Sequence, residues 1–146
     1  MSAQRLKTLV QGLIVLAAIL VGVALSPASA HAATHVWAFA QNPEGTYNAG
    51  VAETWSYGEN IVAEDFHADG WGIRAQLQTL ETAPEGYRYW TAAGGVCFDD
   101  TSTGNNGGGR TSCERNIAEG KTFRVHVWAS RSGSTKWHNY SPSLVA

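Results

Sequence analysis

Trp71-Gly72-Ile73-Arg74-Ala75-Gln76-Leu77-Gln78 and Phe123-Arg124-Val125-His126-Val127-Trp128-Ala129 are two stretches in which polar side chains alternate with apolar ones. In extended backbone, successive side chains point to opposite faces, so a period of two marks a strand buried on one side. Trp71, Ile73, Ala75 and Leu77 form one apolar face; Arg74, Gln76 and Gln78 form the polar one. Phe123, Val125, Val127 and Ala129 repeat the pattern against Arg124, His126 and Trp128.

Working outward, the rest of the chain has the same grammar. Short runs rich in β-branched and aromatic residues lie between turn clusters. His35–Phe39, Val51–Tyr57 and Ile61–Phe66 read as strands, with Asn42-Pro43-Glu44-Gly45 and Gly58-Glu59-Asn60 as turns. Asp69-Gly70 has the chemistry of a tight hairpin, since both residues tolerate positive φ. Tyr87–Thr91 and Gly95–Phe98 form either two short strands or one strand bulged at its glycines. Ile117–Lys121 is read as a turn, Ser130–Thr135 as a polar loop, Lys136–Tyr140 as a last strand, and the tail from Ser141 as loosely held. The expected fold class is all-β: an antiparallel sandwich or barrel of about seven to nine strands.

The first 32 residues are of another kind. Arg5 and Lys7 precede an apolar run from Leu9 to Leu25; Ser26-Pro27 breaks it, and Ala28-Ser29-Ala30 or Ala30-His31-Ala32 offers a cleavage site. Residues 1–32 therefore read as a secretory signal peptide and 33–146 as one secreted domain. A membrane anchor is the competing reading, and the small-residue exit argues against it. The leader holds two of the ten basic residues and none of the twelve acidic ones, which leaves the domain eight against twelve, a charge of −4. A net-acidic chain lacks the basic surface that displaces counterions from nucleic acid, and no polybasic run addresses a lipid surface. Most of the acid lies before Thr101 and most of the base after it. Either the halves interleave opposite charges across a sheet, or the molecule is dipolar.

Cys97 and Cys113 are the only cysteines, and an even count in an exported chain predicts a disulfide. That bridge would staple the base of the loop Gly104-Asn105-Asn106-Gly107-Gly108-Gly109, too glycine-rich to pack a core.

Candidate chemical groups are present by residue type only. Asp65-Phe66-His67-Ala68-Asp69-Gly70 superficially follows a calcium loop, but its twelfth position is Gln76 where a carboxylate is needed. Asp99-Asp100 with Asn105 and Asn106 offers oxygen ligands with no geometric constraint; paired acids at a strand end are more often solvated turn residues. His126 and His138 could share a face, yet a zinc site would need a third ligand that the sequence does not supply. No G-x-S-x-G elbow is present, and nothing pairs two of Glu53, Glu64, Asp65, Asp99 and Asp100 across a cleft. No catalytic residue, metal or cofactor is assigned.

The aromatic residues are more informative. Trp55, Trp71 and Phe123 fit inward positions, whereas Trp37, Trp90, Trp128, Trp137 and Tyr140 form a candidate binding surface. Exposed indole and phenol rings give large contact area at low entropic cost. The competing reading buries both faces of these strands.

Asp69-Gly70-Trp71-Gly72-Ile73-Arg74-Ala75-Gln76-Leu77, the closing Glu119–Trp128 and the later Lys136-Trp137 resemble the small exported single-domain proteins abundant in filamentous actinobacteria. Those share DGxGxRA, then EGxxxRVxV, a polar loop and a terminal W. The resemblance covers about half the chain and implies a β-sandwich and export, with no activity attached. Members often carry a Cys on each side of the last loop; here Trp128 and His138 occupy that region, so that bridge is moved or lost. The function expected is a secreted, non-enzymatic binding module for another secreted or cell-surface protein, either alone or as one subunit of a larger extracellular assembly. The alternatives are a carbohydrate-binding module for a polysaccharide, or a small inhibitor of an extracellular hydrolase. The apolar segment Ala33–Ala40 could complete its own sheet or add to a partner's.

Overall fold

Alternation carries directly into architecture. The computed structural model describes residues 35–101 and 109–146. The signal peptide over 1–32 and the glycine-rich loop, apart from Gly109, lie outside the described residues. Among the described residues there are nine strands: β1 (His35–Gln41), β2 (Asn48–Trp55), β3 (Ile61–Asp65), β4 (Gly72–Thr82), β5 (Arg88–Asp99), β6 (Thr111–Cys113), β7 (Thr122–Arg131), β8 (Ser134–Tyr140) and β9 (Leu144–Val145). They make two antiparallel sheets, one ordered β1-β2-β3-β6 and one ordered β5-β4-β7-β8, with β9 also pairing β7.

The two sheets pack as a sandwich, because each turns its small and aliphatic side chains inward. Val36, Ala38, Ala52, Ile61 and Ala63 meet Ile73, Ala75, Leu77, Phe123, Val125 and Val127. Ala40 and Ala49 are small residues buried in the core, and Gly50 lets the layers approach closely. A Cβ on Gly50 would lie 2.4 Å from Ile73 Cγ1 and 2.2 Å from the Glu64 carbonyl oxygen. Cys97 on β5 is bonded to Cys113 on β6, so the predicted disulfide ties one sheet to the other as well as closing a loop.

Several local expectations are corrected. Asp69-Gly70 does not close a hairpin: β3 and β4 belong to different sheets, and the segment carries the chain from one layer to the next. Positive φ at Gly70 turns the backbone, and Asp69 Oδ1 accepts the Trp71 N–H. Turn chemistry specifies a change of direction, and tertiary packing decides the partner. For Tyr87–Phe98 the single-strand alternative holds: β5 runs unbroken from Arg88, irregular where residues 94–96 stand opposite Gln76. Ser130–Thr135 is a tight hairpin, with Ser132 (φ 47°) and Gly133 (φ 84°) as its two central residues. Ile117 is a core residue.

The tail is built in rather than loose. Ser141 N–H donates to the Val125 carbonyl, Leu144 is buried, and Ala146 N–H donates to the Lys121 carbonyl. Trp55 lies on the outer side of its sheet stacked on His35, while its neighbour Thr54 points into the core. Trp71 is only partly buried. Thr111–Cys113 was not distinguished in the sequence; three residues give no periodicity.

Candidate aromatic–cationic binding face

The outer side of the five-stranded sheet is ordered in rows by strand register. In one row Phe98, Arg74 and Trp128 stand side by side across β5, β4 and β7. In the next, Gln76, His126 and Tyr140 do so across β4, β7 and β8. The third carries Ala92, Gln78 and Arg124, and Leu80 faces Trp90 beyond it. Among the described residues no Asp or Glu occupies an outward position along these strands.

These side chains hold one another. The Arg124 guanidinium lies 4.1 Å from the Trp90 ring centre and 4.0 Å from that of Tyr140, and its Nε donates to Gln78 at 3.0 Å. Each such cation–π contact is worth about 0.5–1 kcal/mol at a surface. The Tyr140 ring stacks on His126 at 4.6 Å, and the Trp128 ring lies 4.5 Å from His126, tilted against it. His126 Nε2 and His138 Nδ1 share a 2.9 Å hydrogen bond, and His138 Nε2 meets the Thr135 hydroxyl at 3.1 Å. Burial, then His138 and the Arg124 charge, pushes the His126 pKa down to about 4. Burial also lowers Arg124 from its ordinary value. The His126 imidazole is therefore neutral near pH 7 and acts as a flat polar spacer between rings.

Of the five sequence-predicted surface residues, Trp90, Trp128 and Tyr140 meet on this face. Trp37, 52% exposed, lies on the outer side of the opposite sheet beside His35. Trp137 belongs elsewhere. A one-residue bulge in β8, between the pairs Val127–Asn139 and Ala129–Lys136, gives Trp137 a positive φ of 55°. The bulge puts Trp137 on the side of Tyr47 and Trp71, 5.3 and 6.5 Å away. Lys136 follows it: its ammonium lies 3.5 Å from the Trp137 ring centre and 3.8 Å from that of Trp71, and burial lowers its pKa. The sequence could not show the bulge, which depends on cross-strand register.

The acidic candidates separate. Glu53 and Glu64 lie on the four-stranded sheet, joined by Arg110, with His35 also on Glu53. Asp65 and Asp99 are buried: Asp99 Oδ2 accepts the Asp65 N–H, and Asp65 Oδ2 accepts the Thr101 N–H. Asp99 is thus a core residue rather than a solvated turn acid. Asp69 is engaged by Tyr47 and the Trp71 backbone, and His67 by the Asn48 carbonyl. Among the described residues no three His, Cys, Asp or Glu side chains cluster as metal ligands. Charge from the two halves does meet across the fold, as Lys121 with Glu81 and Arg110 with Glu53.

Arg74 and Phe98 were not singled out as site residues. The phase of Arg74 in its strand was legible, but its placement between two aromatic rings needed the pairing of three strands. No protein-family model, no curated protein and no solved structure matches this chain.

Proposed function

We propose that the chain is exported and that its β-domain is a non-enzymatic binding module that engages an acidic extracellular macromolecule through the outer face of the five-stranded sheet. The observation that carries this reading is the Arg124 guanidinium clamped between Trp90 and Tyr140, with His126 and Trp128 continuing the cluster. Its side chains are pre-ordered, so little rotamer entropy remains to be lost on binding. It carries Arg74 and Arg124 with no carboxylate outward along its strands, Asp100 standing only at one end, so it complements an acidic surface although the domain as a whole is net negative. The export reading and the resemblance to actinobacterial secreted proteins rest on residues 1–32 and the quoted motifs.

The test is capture from native culture fluid with immobilised domain and three variants. A specific partner should be held by the wild type and by Trp37→Ala. It should be lost at least tenfold with Arg124→Gln or Tyr140→Ser. A partner held equally by all variants, or lost only with Trp37→Ala, would reject this face as the contact surface.

A further inference from the structure

At one end of the same face lies an open groove of about 530 Å³, bounded by the β7–β8 hairpin. That volume is in the range of small-ligand sites, roughly 300–1,000 Å³. Phe98, Arg74 and Trp128, the first cross-strand row, form one wall. Arg131, Asp100 and the hydroxyls of the hairpin, among them Ser134 and Thr135, form the rest.

Three features set its chemistry. The Arg74 fork is fixed: its central carbon lies 4.2 Å from the Phe98 ring centre and its Nε donates to Ser130 Oγ at 2.7 Å. Four N–H donors of the guanidinium then remain for a ligand. Such a planar fork matches a carboxylate through two parallel hydrogen bonds. Second, Arg74 and Arg131 against Asp100 leave one net positive charge, which suits a monoanion. Third, the Trp128 indole offers an apolar face beside a row of hydroxyls and one carboxylate. A sugar ring presents this same combination, with C–H groups on its flat side and hydroxyls at its rim.

Building on the binding-module reading, we infer that this groove binds a carboxylate-bearing sugar unit of an acidic polysaccharide. Arg74 grips the carboxylate, Trp128 stacks on the ring, Arg131 adds charge, and Asp100 and the hairpin hydroxyls exchange hydrogen bonds with the sugar hydroxyls. An acidic peptide would use the charge but leave the hydroxyl row idle.

Calorimetry on the purified exported domain tests this with three polymers: polygalacturonate, its fully methyl-esterified form and poly-L-glutamate. Polygalacturonate should bind, and the other two should bind at least tenfold more weakly. Arg74→Lys, which keeps charge and loses the fork, should weaken polygalacturonate binding about tenfold (about 1.4 kcal/mol). Arg131→Gln should weaken it several-fold, and Trp37→Ala should leave it unchanged. Unfolding curves verify that each variant is folded. Equal binding of poly-L-glutamate, an unaffected Arg74→Lys variant, or no binding of polygalacturonate would each overturn the assignment. Failure here with a face-dependent partner still captured from culture fluid would remove the sugar and leave the module; loss of both would remove the module.

Discussion

At the residue scale, two positions show how a single side chain is set by its surroundings. Gly50 is a glycine because its strand passes within contact of Ile73 and of the Glu64 backbone. A methyl group there meets one immovable carbonyl, so Gly50→Ala should destabilise the domain by about 1–3 kcal/mol, read from urea unfolding. His126 makes a pH prediction. Its folded pKa of about 4 lies below its ordinary 6.5, so the unfolded chain binds the proton first as pH falls. The stability contributed by neutral His126 is complete above about pH 6.5 and disappears as pH falls to about 4. Because the ring is only half-buried, solvent screening cuts the effect to the order of 1–2 kcal/mol. The difference in unfolding free energy between wild type and His126→Gln, followed from pH 7 to pH 4, measures it. A constant difference across that range would contradict it.

At the scale of elements, alternation in Ile73–Leu77 and Phe123–Ala129 was sufficient to identify β4 and β7 and their buried faces. These two strands pair with each other at the centre of the sheet, where one face must be apolar. The three-residue β6 and the two-residue β9 escaped notice because neither is long enough to show a period. The bulge in β8 escaped for a different reason. Lys136 to Tyr140 reads as a regular strand, and only the spacing of its partner on β7 reveals the additional residue. The disulfide was legible from cysteine count and context, but its role as a link between sheets was not. It closes a span of 16 residues between β5 and β6. Loop-closure entropy then gives about 3 kcal/mol, so the double variant Cys97→Ala/Cys113→Ala should lose that much in denaturant unfolding while its circular dichroism remains all-β.

At the scale of the whole molecule, the opposing sheets present different surfaces. The four-stranded sheet carries Glu53 and Glu64 beside exposed Trp37; the five-stranded sheet carries Arg74 and Arg124 among stacked rings. If the latter face meets an acidic polymer, affinity should fall as sodium chloride rises from 50 to 500 mM, and Arg124→Gln should flatten that dependence. Salt-insensitive binding would point to ring contacts alone. The sequence by itself determined the all-β class, the inward faces of the central strands and the cysteine pair, because period-two patterning and cysteine count are local properties of the chain. Only the tertiary structure decided that Asp69-Gly70 crosses between sheets, that Trp137 parts from Trp90, Trp128 and Tyr140, and that Arg74 stands between Phe98 and Trp128. Those facts depend on which strands become neighbours and in what register, and that choice is made by packing two layers over one core rather than by any stretch of residues alone.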